Sequence, residues 1–209
     1  MHSDQTTDSE VSGIDDRLQD FLFAPVPSED LSGLTASGLA AIATLAAEQL
    51  VRLRPDRRPL IALENVTVEQ NGKARELTVL NAVNDDMPFL VDSVSMELNR
   101  HGFTVHRLIH PVLAIAYGED GEPLSVAETG AGDGVQLAVM QFAIDRETDA
   151  VRIESLRADL ARVLGDVRAA VEDWPRMLAR LNEIADELDP AKLPVPAAEV
   201  EEARAFLDW

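Results

Sequence analysis

LTVLNAVNDDMPFLVDSVSMELNRHGFTVHRLIHPVLAI, residues 77–115, reads as a strand, a tight acidic turn, an amphipathic helix and a second strand. Leu77, Val79, Asn81 and Val83 alternate with Thr78, Leu80 and Ala82, the period of two that a strand imposes on its faces. Asn84, Asp85 and Asp86 break the run, and either aspartate has the short acceptor side chain that caps a helix start. Pro88 fits a first helical turn, where a missing N–H costs little. Leu90, Val91, Val94 and Leu98 recur on one helical face until His101 and Gly102 stop it, and the chain re-enters strand at Phe103.

Upstream, residues 60–68 read as a strand joined to the one at Leu77 through Gln70-Asn71-Gly72-Lys73, a strong hairpin-turn signal. Downstream, Gly118-Glu119-Asp120-Gly121 marks another hairpin turn, and the glycine-rich residues 130–134 form a loop before a strand over 135–144. That strand is apolar on both faces, Val135, Leu137 and Val139 against Ala138, Met140, Phe142 and Ile144, as a central strand covered by helices would be. Ile153, Leu156, Leu160, Val163, Val167, Val171 and Trp174 then repeat at three- and four-residue spacing, and Leu178, Leu181, Ala185 and Leu188 continue the stripe. Pro175 is expected to kink or restart this helix, with Asp173 as a new cap. A last helix spans about 197–209, and its abrupt aromatic end suggests a piece of a longer protein.

The passage resembles the ACT domain, the βαββαβ module that senses amino acids in many metabolic enzymes, whose signature is strand, Asp-x-Pro-Gly-Leu, helix, strand. Asp86, Pro88 and Leu90 match it, while Phe89 replaces the glycine. The longer string NDDMPFLVDSVSMELNRHG followed by HRLIHPVL looks like the N-terminal region of the very large bacterial NAD-specific glutamate dehydrogenases, as do EDWPRMLARLNEIADEL and EEARAFLDW. The resemblance runs through most of residues 60–209 and leaves out the catalytic region. It implies an α+β, ACT-like (ferredoxin-like) antiparallel sheet with helices on one face, plus N-terminal and C-terminal helical segments. A βαββαβ unit needs a fourth strand beside its first, yet no strand pattern follows the second helix, so the strand at 60–68 is expected to fill that edge.

The expected organisation is a disordered tail over 1–13, a helical lead-in over 14–59, with a helix from about 37 to 53, an ACT-like domain over 60–167 and a helical connector over 168–209. Composition sets limits on function. With 209 residues and 46% apolar content the chain can bury a core. Its 18 Lys and Arg against 38 Asp and Glu, net −20, repel phosphate backbones and anionic headgroups, so neither nucleic acid nor membrane is an expected partner. No cysteine is present, which removes disulfides, thiolate nucleophiles and cysteine metal sites. The polar, acidic start carries no signal peptide, so the expected location is cytoplasmic.

The best site candidate is the turn Asn84, Asp85, Asp86, Met87, Pro88 and Phe89, where the resemblance implies an amino-acid ligand. Backbone N–H groups at a helix start take a carboxylate, and an aspartate or asparagine takes the α-ammonium. Equally, Asp85 and Asp86 are explained as caps alone, and the bulk of Phe89 favours that view. His106 and His110 have HxxxH spacing, but on a strand four residues span about 13 Å, too far for one zinc ion, so no metal is expected. The 130–134 glycines precede a strand and no Gly-Lys-Ser/Thr follows, the two lysines Lys73 and Lys192 lie in a turn and a linker, and no nucleotide or catalytic motif is seen. Hence no catalytic, cofactor-binding or metal residue is assigned in this chain. The stripe before Trp174 is expected to pack on the chain's own sheet; after Pro175 an arm against another subunit and intrachain packing remain open.

Taken with the resemblance, the chain reads as the regulatory or assembly region of a large NAD-specific glutamate dehydrogenase, an oxidoreductase of glutamate catabolism that converts L-glutamate, NAD and water to 2-oxoglutarate, ammonium and NADH. NAD would belong to the parent enzyme. The remainder of the polypeptide, further copies of the chain and an amino-acid effector would be its partners. The alternatives are a stand-alone ACT-type amino-acid sensor and a ligand-free oligomerisation scaffold.

Overall fold

Asn71 and Gly72 both take positive φ, 53° and 70°, the backbone pairing of a two-residue turn whose twist matches that of the strands it joins. In the computed structural model, which describes residues 18, 20–24, 26–28, 31, 34–50, 56–119, 123–130 and 134–207, this turn closes a hairpin. Its arms are β1 (Leu60–Gln70) and β2 (Lys73–Asp85), antiparallel and in register from Leu60 opposite Val83 to Gln70 opposite Lys73. The edge role expected for residues 60–68 is therefore met. β2 is also flanked by β6 (Val135–Ile144), from Thr78 opposite Ile144 to Asp85 opposite Leu137.

On the far side of β6 lie β3 (Val105–Ile109) and β4 (Val112–Tyr117), and β5 (Pro123–Glu128) pairs with β4 to complete a six-stranded antiparallel sheet. One strand was expected to run on from Phe103; Pro111 splits it, because proline has no N–H to give the ladder. The split does not shift the register. Ile109 faces Gln141, Val112 faces Ala138, and Val139 N–H still donates to the Pro111 carbonyl at 3.0 Å. Gly134 opens β6 where the backbone of Ile115 passes so close that an added Cβ would sit 2.7 Å from it. Residues 131–133 of the glycine loop and 120–122 of the second hairpin turn lie outside the described residues, as does the expected tail over 1–13 and the end of the lead-in helix over 51–55.

Both faces of the sheet are covered. On one, Val83, Leu113, Ile115, Val126, Leu137 and Val139 form a core with Leu18 and Leu22 and with Ala43, Ala46 and Leu50 of helix α1 (Ala36–Leu50). On the other, Leu80, Ala82, Ala138, Met140, Phe142 and Ile144 are buried. The helices α2 (Leu90–Arg100) and α3 (Ala150–Glu187) bury Leu90, Val94 and Leu98, and Leu156, Leu160 and Leu164, in turn. Each such leucine is worth roughly 1.5–3 kcal/mol of transfer free energy. A polar pair interrupts the α1 side: Gln141 Nε2 donates to Asn81 Oδ1 at 2.7 Å and to the Ile42 carbonyl of α1 at 3.0 Å.

α3 passes Pro175 without leaving the helix, so the expected restart at Asp173 does not occur; Asp173 instead takes Arg176 at 2.6 Å. Pro175 deprives the Val171 carbonyl of its partner, but this stretch is exposed and water can serve it. The chain divides into two compact units, Met1–Gly165 and Asp166–Trp209. In the second, α4 (Ala197–Leu207) follows a turn, and Ala185 and Val200 are buried while Trp174, Met177 and Ile184 stay exposed.

Candidate functional site

The turn between β2 and α2 holds the six residues singled out from the sequence, and the structure treats them differently. Asn84 and Asp85 end β2 and are buried by β6 and its neighbours. Asn84 Nδ2 donates to the Asp85 carbonyl at 3.1 Å, while the Asp85 carboxylate takes Arg57 Nε at 2.6 Å. That ion pair joins a carboxylate 10% exposed to an arginine 64% exposed, so one side of it is open to water. Asp86 is exposed and donates its backbone N–H to the Gln136 carbonyl at 3.1 Å; Met87 is half-buried, and Pro88 and Phe89 are exposed.

Neither aspartate caps the helix, contrary to the sequence expectation. α2 begins at Leu90, with Pro88 ahead of its first turn, and the cap position is Phe89 at φ 72°, ψ 2°, with no side-chain capping bond. The left-handed conformation is one a glycine takes freely and a bulky L-residue takes only under strain of about 1–3 kcal/mol. Phe89 thus takes a backbone that glycine would adopt freely, and its ring, 66% exposed, points to water instead of filling the turn. The start of α2, the positive end of the helix, is thus left without a side-chain cap, and Asp86 is exposed four residues before Leu90; an uncapped helix start can take a carboxylate and an aspartate an ammonium.

A second polar cluster was not singled out from the sequence, although Glu97, Arg100 and His101 stand at the i, i+3 and i+4 spacing that puts them on one side of α2. Arg100 binds the Glu97 carboxylate and reaches Asp159 of α3 at 2.7 Å; His101 Nε2 lies 3.0 Å from Asp159 and 3.2 Å from Glu97. The Arg100 hydrogen bond holds the Glu97 carboxyl below its ordinary range, and the His101 and Arg100 contacts do the same for Asp159. Glu97, His101 and Asp159 have one ligand atom each within 4.8 Å of the others, a spacing a metal ion could use. Arg100 binds both carboxylates and Arg162 lies 3.5 Å from Asp159, so two guanidinium groups already balance the two acids and the cluster works as it stands as an ionic clamp between α2 and α3.

His106 and His110 do not converge. His106 Nε2 pairs with Asp145 at 2.7 Å, which, with the Thr104 N–H, keeps the Asp145 carboxyl below its usual range; His110 Nδ1 faces the Val139 carbonyl at 3.4 Å. His110, Pro111, Val112 and Thr129 line an open cleft with Phe21 and Ala24. Among the described residues no helix is long and apolar enough to cross a membrane.

The family described as glutamate dehydrogenase, ACT1 domain, matches residues 18–160. The chain is 34% identical over 189 residues to the NAD-specific glutamate dehydrogenase of Pseudomonas aeruginosa, and that match covers 90% of this chain and 12% of the relative. With the NAD-specific glutamate dehydrogenase of Halomonas elongata it shares 32% identity over 198 residues, 93% of this chain and 12% of that protein.

Proposed function

This chain belongs to the glutamate dehydrogenase ACT1 domain family, and from that premise we propose that it is a regulatory or assembly region of a large NAD-specific glutamate dehydrogenase and not itself catalytic. In that reading the parent enzyme, in the cytoplasm, oxidises L-glutamate to 2-oxoglutarate with NAD, and the chain contributes no group to hydride transfer. The observation that carries it is the family match over residues 18–160, which takes in the whole six-stranded sheet and the β2–α2 turn. The test is direct. The purified chain is mixed with glutamate and NAD and NADH formation is followed; none is expected, and turnover proportional to chain concentration would overturn the reading.

Within this role, the start of α2 is an effector site for an amino acid. Support comes from the helix start that no side chain caps, the left-handed backbone at Phe89 and the exposed Asp86 beside it. The ligand carboxylate would lie on the N–H groups of Leu90 and Val91, with its ammonium on Asp86. Saturable binding of one amino acid that Asp86→Ala abolishes without unfolding the chain is the expected result; equal affinity in that variant would remove the turn from the account. The assembly reading is favoured by another feature, the exposed Trp174, Met177, Leu178 and Ile184 on α3, which would meet the remainder of the polypeptide or a further copy of the chain.

A further inference from the structure

Arg107 sits on β3 opposite Ala143, in a row that runs across the sheet through Val79 of β2 to Glu64 of β1. Directly paired residues share a face, so the row lies on the side covered by the N-terminal segment and α1. At this end of that face Leu34, Val66, Val68, Leu77 and Ala143 make a small apolar cluster. Arg107 is half-buried beside it, and no hydrogen bond or ion pair to it is seen among the described residues. Partial desolvation of a cation has a cost that an anion or hydrogen-bond acceptor in place of the lost water would offset.

The surroundings make the want of an anion sharper. In a chain with 38 acidic residues, the acid in Arg107's own row, Glu64, is three strands away, about 14 Å at the usual strand spacing. The charge that does reach it is another cation, Arg75, which lies on the same face opposite Val68. Burial and then the Arg75 charge both push Arg107 below the usual arginine range, though a guanidinium keeps its proton at any physiological pH. Arg75 itself is exposed and, among the described residues, makes a long contact, 3.5 Å, to the Gln70 side-chain carbonyl. Every other arginine of the first unit for which a charged partner is described finds a carboxylate: Arg57, Arg58, Arg100, Arg146, Arg152, Arg157 and Arg162.

We propose that Arg107, with Arg75 as an outer charge, binds a small oxyanion, a carboxylate or a phosphate, on this face of the sheet. The planar fork of Arg107 takes two oxygens, and Arg75 adds attraction without burial. This site is distinct from the α2 start. Arg107 lies in the row of Val79, six residues along β2 from Asp85, so about 20 Å of strand separates the two, and the inference does not depend on the effector reading.

The test follows the Nε–Hε signal of Arg107 in the whole chain by NMR during titration with glutarate and, separately, inorganic phosphate, with chloride at matched ionic strength as control. A saturable shift with either probe is expected, and which probe binds tighter identifies the source. Arg107→Gln should weaken that binding roughly tenfold or more, and Arg75→Gln by a smaller factor. If Arg107→Gln does not fold, the Arg75→Gln titration decides, and unchanged affinity there counts against the site. A shift that chloride reproduces, that fails to saturate, or that survives Arg107→Gln unchanged overturns the proposal.

Discussion

α2 and α3 bury leucines under the same sheet, yet they begin in opposite ways. At the start of α3 the backbone is satisfied by its own neighbours: Glu147 Oε1 takes the N–H groups of Thr148 and Asp149 at 2.9 and 2.8 Å, and Asp149 Oδ1 takes that of Val151 at 2.8 Å. Thr78 and Asn65 bind Glu147 in turn, so the cap is anchored to the β1–β2 hairpin. At the start of α2 no side chain closes the helix, the cap residue is left-handed, and the one buried carboxylate, Asp85, is turned toward Arg57. The lesson is that one sheet can hold a finished helix start beside an open one. Stability accounts for the first, and in the proposed reading a ligand complements the second.

If the two helices are anchored alike and differ only in their starts, Leu98→Ala and Leu160→Ala should cost similar amounts, about 2–5 kcal/mol each in a denaturant melt. A large disparity would mean that one helix is not part of the core. Gly134→Ala tests the sheet beneath both, and with a Cβ driven into Ile115 backbone it should lose about 1–3 kcal/mol. The starts themselves should respond unequally: Asp149→Ala is expected to cost about 1 kcal/mol, whereas Asp86→Ala, which removes no cap, should fall within roughly 0.5 kcal/mol of the parent chain. Phe89→Gly should do the reverse of damage and add up to about 1 kcal/mol by relieving the left-handed phenylalanine, seen as a raised melting temperature.

The ionic clamp gives the smallest and most pH-dependent effect. Glu97 and Asp159 are held below their ordinary values of 4.5 and 3.8, so their contribution is complete above those values and fades as pH falls through the lower folded ones. Arg100→Met should therefore lower stability at neutral pH and flatten its decline in acid, as read by urea melts across that range.

How far these features can be read from sequence depends on whether they are local. Asn71-Gly72 is a turn by its own backbone preferences, and the two-period of residues 77–83 is enforced by the sheet, so hairpin, edge strand and core helix were all legible. Asp86 misled because its side chain is a good cap in isolation, whereas the path out of β2 carries the chain past it and puts Phe89 at the cap. The replacement of glycine at that position was visible; that the backbone kept a glycine's conformation was not, since tertiary geometry overrides the residue's own preference. Pro175 signalled a kink or a restart, and the helix runs on through it. Arg107 gave no signal, because an arginine in a strand looks the same whether it meets a carboxylate or nothing.

The central claim, that the open start of α2 is an effector site in a glutamate dehydrogenase regulatory region, is tested most directly by melting the chain with each common amino acid in turn, with NAD as control. A ligand at 100 times its dissociation constant adds about 2.7 kcal/mol, which should raise the melting temperature by roughly 5–10 °C. One amino acid giving that shift, and losing it in Asp86→Ala, is the predicted result. No shift with any amino acid, in a chain that melts cooperatively, would contradict the account and leave assembly as this region's role.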